Sequence, residues 1–295
     1  DVCSSDLTTQ TGFTALKILL ILGFSVAALT LGHGVSQVEI AWTDDATVAL
    51  GSGAFAVSLI YVNYAYSGWN AATYISGELS SPQRSLPWVL GISTTLVAAL
   101  YCLLNFVFLS VAPIEAMAGK VEVGVIAAEY AFGSTTGALM GALLALLLIS
   151  TISAMILAGP RVLHRIGQDY PRFAWLAREN KDAIPVVAII VQSGTALLFL
   201  WSASFEQILI FSGATMALNT FATVLGLFIL RWREPNLPRP FRVTLYPFTP
   251  LVFLGVTSWT LIYIVMQRPI EALITGGIVL SGGLLYFISK PSMTA

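Results

Sequence analysis

Eight apolar windows of bilayer-spanning length fall along the 295 residues, at about 13–36, 49–77, 88–112, 135–159, 185–203, 206–230, 248–266 and 272–289. A membrane helix needs about 20 predominantly apolar residues. In lipid every backbone N–H and C=O must also find a partner, which leaves helices and closed barrels as the spanning structures. The windows therefore predict an all-α polytopic membrane protein, with residues 13–290 as a single transmembrane domain. Charged residues make up only 10% of the chain, against about 25% in soluble domains. Cys3 in the polar N-terminal stretch and Cys102 inside an apolar window offer neither a disulfide framework nor a metal cluster. No cofactor and no nucleic-acid partner is implied.

Orientation follows from the bias of Lys and Arg towards the cytoplasm. With the N-terminus inside, the cytoplasmic side holds Lys17, Arg84, Arg161, Arg165, Arg172, Arg178, Lys181, Arg231, Arg233, Arg239, Arg242 and Lys290, and the outer side holds only Lys120 and Arg268. The outer loops carry Glu39, Asp44, Asp45, Glu115 and Glu122 instead. Residues 113–134 are too polar to span and predict a short outer helix over the bundle. Residues 160–184 predict an interfacial helix broken at Gly167 and Pro171; their basic side chains enforce topology, with contact to anionic lipid as the alternative, and Arg231, Arg233, Arg239 and Arg242 serve topology and headgroup contact rather than regulation. Residues 1–12 read as a truncated or non-native tail, with native sequence starting near Thr8 to Phe13.

The second window is unlike the others. It carries Ser67-Gly68-Trp69-Asn70 at its middle and ends in Gly77-Glu78 before a polar turn, Ser80 to Ser85. A weak point at mid-depth is usually covered by protein or lines a polar cavity. Discontinuous helices mark substrate sites in secondary transporters. The plainer alternative is that Gly68 serves close helix packing. The candidate break falls near residues 65–69, with both readings open on these residues alone.

These residues carry a resemblance. Tyr64 to Asn70, Gly77-Glu78 and Ser81-Pro82-Gln83-Arg84-Ser85-Leu86-Pro87 resemble the sixth helix and following loop of the amino acid, polyamine and organocation (APC) permeases. The L-type and y+L-type amino acid exchangers and their bacterial relatives are the nearest in pattern. Residues 231–243, RWREPNLPRPFRV, are similar to the loop after that family's tenth helix, and residues 159–173 to the loop after its eighth. The resemblance implies the C-terminal part of a twelve-helix, LeuT-like fold of two five-helix inverted repeats, with helices five to twelve present and the first four absent. It also implies a bacterial inner or cell membrane location. The similar-looking Gly51-Ser52-Gly53-Ala54-Phe55 is read as a chance likeness to the family's first helix.

In that family, substrate amino and carboxylate groups are held where helices unwind. The resemblance therefore implies Ala65, Tyr66, Ser67 and Gly68 as backbone contacts, Tyr64 as an aromatic gate, and Asn70 as a contacting or orienting side chain. Ser67 stands where close relatives have glycine. Lys17 lies well within a span, where a lysine costs about 2.5–3.5 kcal/mol on insertion scales. The family's corresponding lysine takes the place of a sodium ion, and its implied partners here are Ser150, Thr151 and Ser153. Snorkelling to the headgroups is the alternative. Glu78 and Arg84 are read as an inner-gate pair, or Glu78 as a simple interfacial carboxylate. His33 is read as capped and solvent-facing rather than as a proton relay. Ser212, Thr215, Asn219 and Thr220 are assigned interhelical hydrogen bonds.

The expected function is a secondary active amino acid transporter, not an enzyme, working by alternating access. A polyamine or other amine permease and a non-transporting membrane sensor or scaffold are the alternatives. The amino acid or amine carried, exchange against proton symport, and an accessory subunit stay open.

Overall fold

The structure is a computed structural model that describes residues 2–32, 44–70, 72, 81–239 and 241–289. In chain order the helices are α1 (Val2–Leu31), α2 (Asp44–Leu50), α3 (Gly53–Ala65), α4 (Pro82–Val111), α5 (Ile114–Met117), α6 (Val123–Phe132), α7 (Ser134–Asp169), a 3-10 helix (Pro171–Ala177), α8 (Val186–Ser202), α9 (Phe205–Arg233), α10 (Phe248–Gln267) and α11 (Pro269–Ile288). Among the described residues, six helices are long and apolar enough to cross a membrane: Thr11–Leu31 within α1, then α4, α7, α9, α10 and α11. The windows at 49–77 and 185–203 contain shorter helices. The 17 residues of α8 reach about 25 Å at 1.5 Å per residue, just under the hydrocarbon thickness of about 30 Å.

The chain divides into two compact units. The first comprises Asp1–Ala41 and Gly91–Ala158. Its core joins Phe24 and Ala28 of α1, Val107 and Val111 of α4, Met117 of α5, and Ala127, Ala128 and Ala131 of α6. Phe24 meets the rings of Phe108 and Phe132 at 6.2 and 6.3 Å between centroids. The three alanines let α6 approach closely, since small side chains allow backbones to near one another. Residues 113–134 thus hold two helices rather than one, and the longer buries an apolar face that the charged residues of the stretch masked in the sequence.

The second unit comprises Trp42–Leu90 and Gly159–Ala295. Ile60 of α3, Ala214 and Ala217 of α9, and Ile264 of α10 form its buried cluster. Gly213 makes this packing close: a Cβ there would lie 2.7 Å from Cγ2 of Ile60 and 3.4 Å from its carbonyl oxygen. Gly213→Val is therefore expected to destabilise the unit by about 1–3 kcal/mol, the usual cost of overpacking, read as a fall in thermal unfolding temperature. α11 is tied on by Thr275, whose Oγ1 donates to the Phe211 carbonyl at 3.4 Å.

Three expectations are corrected. The helix α1 begins at Val2 rather than near residue 13. The window 49–77 does not begin as one helix, because Ser52 starts α3 afresh: its Oγ accepts the Phe55 N–H at 3.2 Å, an N-cap. Gly51-Ser52-Gly53 thereby has a structural cause, since a Cβ on Gly53 would strike Gln267 and the Tyr263 ring of α10. Thirdly, α7 runs unbroken through Pro160 and Gly167 to Asp169. Gly167 acts instead as a landing for the 3-10 helix, where a Cβ would come within 2.5 Å of the Ala177 backbone nitrogen. His164 and Glu179 pair at 2.9 Å beside this contact.

Candidate functional site at the end of α3

α3 stops at Ala65, and residues 66–70 form turns. The Tyr66 N–H donates to the carbonyls of Val62 and Tyr64, and the Ser67 N–H to Tyr64 at 3.0 Å. Gly68 follows with φ +100°, a region that costs other L-residues about 1–2 kcal/mol. A Cβ at Gly68 would meet nothing within 4 Å. Gly68→Ala is therefore expected to lower stability by about 1 kcal/mol through backbone strain alone, measurable as a shifted unfolding midpoint. The C-terminal end of a helix presents acceptor carbonyls and a partial negative charge.

Beneath this turn lies a cavity of about 750 Å³. Asn63, Ser67, Trp69 and Asn70 form one wall, Thr215, Met216, Asn219, Thr220 and Thr223 of α9 another, and Val279 of α11 a third. Thr215, Asn219 and Thr223 follow one another at four-residue spacing, which stacks them on one helix face. Asn219 is the middle residue of the 29-residue α9, so the polar patch sits at half-height of a helix long enough to span. The hydroxyls of Thr215, Thr220 and Thr223 donate to the carbonyls four residues back, at 2.8, 2.9 and 2.9 Å. This corrects the expected interhelical bonds: a threonine hydroxyl reaches its own helix backbone first. Having donated, each oxygen keeps acceptor capacity.

Of the residues singled out in the sequence, Ser67 and Asn70 line this cavity, and Tyr64, Ala65, Tyr66 and Gly68 make the helix end and turn that carry them. Asn63 and the α9 wall were not recognised as parts of one site. The four-residue spacing on α9 was the available signal, and only the packing of α9 on α3 gives it meaning.

Lys17 belongs to the first unit. Its Nζ donates to Thr151 Oγ1 at 3.0 Å, and that hydroxyl donates onward to the Leu147 carbonyl at 3.3 Å. One hydroxyl can do both, because it has one proton and two lone pairs. Ser150 is buried and Ser153 exposed on the same helix. Arg84 is exposed in the first turn of α4, while Glu78 and His33 lie outside the described residues.

A further cluster was invisible in the sequence. Arg268, at the α10–α11 junction, pairs with Glu206 of α9 at 2.8 Å, and Tyr61 of α3 donates to the same carboxylate oxygen at 3.2 Å. Sequence separations of 62 and 145 residues leave no local pattern to read.

These features define the class, an integral multi-pass membrane protein of packed helices, one of which ends beside a cavity lined by asparagine and threonine side chains. The chain belongs to the amino acid permease family, whose model matches residues 5–287. It is 26% identical to the large neutral amino acids transporter small subunit 2 of Oryctolagus cuniculus, over 94% of this chain and 52% of that protein. It is also 26% identical to the Asc-type amino acid transporter 1 of Mus musculus, over 81% and 46%, and 24% identical to the b(0,+)-type amino acid transporter 1 of Mus musculus, over 95% and 57%. The chain spans about half the length of the curated relatives it matches.

Proposed function

We propose that the full-length protein is a secondary active amino acid transporter and that the cavity under residues 66–70 holds part of its substrate. The observation that carries this is the end of α3 opening on a polar cavity at the half-height of α9. Secondary transporters bind substrate near the bilayer midplane at discontinuous helices. The volume of about 750 Å³ falls within the range of about 300–1,000 Å³ typical of small-molecule sites. The described end of α3 is a C-terminal one, so its carbonyls suit the substrate's ammonium, and the acceptor-rich threonine face of α9 adds to this. Asn63, Asn70 and Asn219 bring amide donors as well as acceptors, as a zwitterion's carboxylate requires.

Membership of the amino acid permease family and the relatives named as amino acid transporters favour amino acids over polyamines or a transport-free scaffold. Lys17, hydrogen-bonded to Thr151, stands as a fixed positive charge inside a span and favours coupling without sodium. The basic bias of the loops supports a cytoplasmic N-terminus for the chain. The test is uptake of a labelled amino acid panel into proteoliposomes containing the full-length protein, with and without internal amino acid. Uptake stimulated by internal substrate assigns exchange, uptake driven by a pH gradient alone assigns proton symport, and no uptake of any panel member removes the amino acid assignment.

A further inference from the structure

A second cavity, of about 490 Å³, lies in the second unit where α9 ends and α4 begins. Its walls are mainly apolar: Leu86 and Pro87 of α4, Leu227 and Leu230 of α9, and Leu237 and Phe241 of the connection that follows. Arg231 and Arg239 also line it, and they are differently placed. Arg239 is committed to the chain, donating to the carbonyls of Glu234, Pro235 and Leu237. Arg231 stacks its guanidinium 3.7 Å from the Tyr246 ring centroid, and its Nε is buried without a hydrogen-bond partner among the described residues. A buried charged donor left unmatched is costly. That atom is closed off by the protein, so a partner entering the groove meets the guanidinium through its other nitrogens.

The depth of the groove says what that is. Trp232 and Trp88 are 83% and 71% exposed at the adjoining ends of the apolar runs of α9 and α4, and exposed tryptophan at the end of a span sits at headgroup level. An apolar slot opening there beside a cation fits a molecule with an acyl chain and an anionic head. We propose that this groove is a binding site for an anionic phospholipid, with an acyl chain along Leu86, Leu227 and Phe241 and its phosphate on Arg231. Arg233 and Arg242, both exposed, add positive charge nearby, and anionic lipid gains about five-fold in binding for each such charge at the surface.

The site is tested by native mass spectrometry of the delipidated full-length protein titrated with phosphatidylglycerol or phosphatidylcholine, with inorganic phosphate as competitor. Wild type is expected to take phosphatidylglycerol at least about five-fold more tightly. Arg231→Gln is expected to abolish that preference, while Arg231→Lys keeps most of it. Leu227→Trp, which fills the slot and leaves the charge, is expected to weaken phosphatidylglycerol binding and serves as the test should Arg231→Gln not fold. Equal binding of the two lipids, or a preference that survives both Arg231→Gln and Leu227→Trp, overturns the proposal. Displacement of phosphatidylglycerol by inorganic phosphate at equal concentration also overturns it, because the site would then read the headgroup alone. Flux plays no part in the readout, so either result is separate from that of the transport test.

Discussion

Lys17→Ala in the full-length protein is expected to reduce amino acid uptake by about 10–100-fold, the equivalent of the 1.5–3 kcal/mol attached to a hydrogen bond with a charged group. The reasoning starts from cost. A lysine within a span is unfavourable by a few kcal/mol, and its Nζ is held at 3.0 Å by Thr151, which is itself anchored to Leu147. Removing the ammonium takes away this polar tie between α1 and α7, and it removes the fixed charge that we propose stands in place of a coupling ion. Thr151→Val should produce a smaller loss, since the charge stays and only its acceptor goes. Sodium dependence should be absent in the wild type. Uptake by Lys17→Ala within about two-fold of wild type, well below the ten-fold that 1.4 kcal/mol represents, would assign Lys17 to snorkelling at the headgroups.

Asn219→Leu is expected to raise the KM for amino acid by at least about ten-fold, with little change in the unfolding midpoint. Asn219 is an exposed wall residue of the cavity at mid-length of α9, so its replacement removes a donor and acceptor from the substrate's side without disturbing the buried Ile60, Ala214 and Ala217 cluster. Losing one hydrogen bond to a charged carboxylate or ammonium is worth about 1.5–3 kcal/mol. Asn219→Ser, which keeps a shorter donor and acceptor, should fall between the two. An unchanged KM in Asn219→Leu, measured on protein of normal stability, would move the substrate away from this wall.

Both variants depend on features that the sequence reveals unequally. The windows at 206–230 and 248–266 fall inside α9 and α10 because a continuous apolar stretch in lipid has little choice but helix. The small polar run Ser67 to Asn70 stands out within an apolar window for the same reason, and in the structure it follows the last helical residue, Ala65. Averaging over a window hides local events, however. Ser52 follows the end of one helix and caps another within an apolar stretch, and its effect rests on two hydrogen bonds, one donated to the Ala49 carbonyl and one accepted from the Phe55 N–H. Gly167 reads as a breaker, yet a glycine costs a helix only about 1 kcal/mol, and here its missing side chain admits the 3-10 helix. The α9 wall of the cavity was legible as polar spacing but not as a site, since its meaning comes from packing against α3 through Gly213 and Ile60. The Glu206–Arg268–Tyr61 cluster is wholly tertiary.

The most direct measurement of the central claim is a structure of the full-length protein determined with a transported amino acid bound. The account predicts ligand density in the cavity between residues 66–70 and the Thr215–Asn219–Thr223 face of α9, with the ammonium towards the carbonyl end of α3. Density for the whole amino acid at a position out of reach of both Ser67 and Asn219 would contradict it.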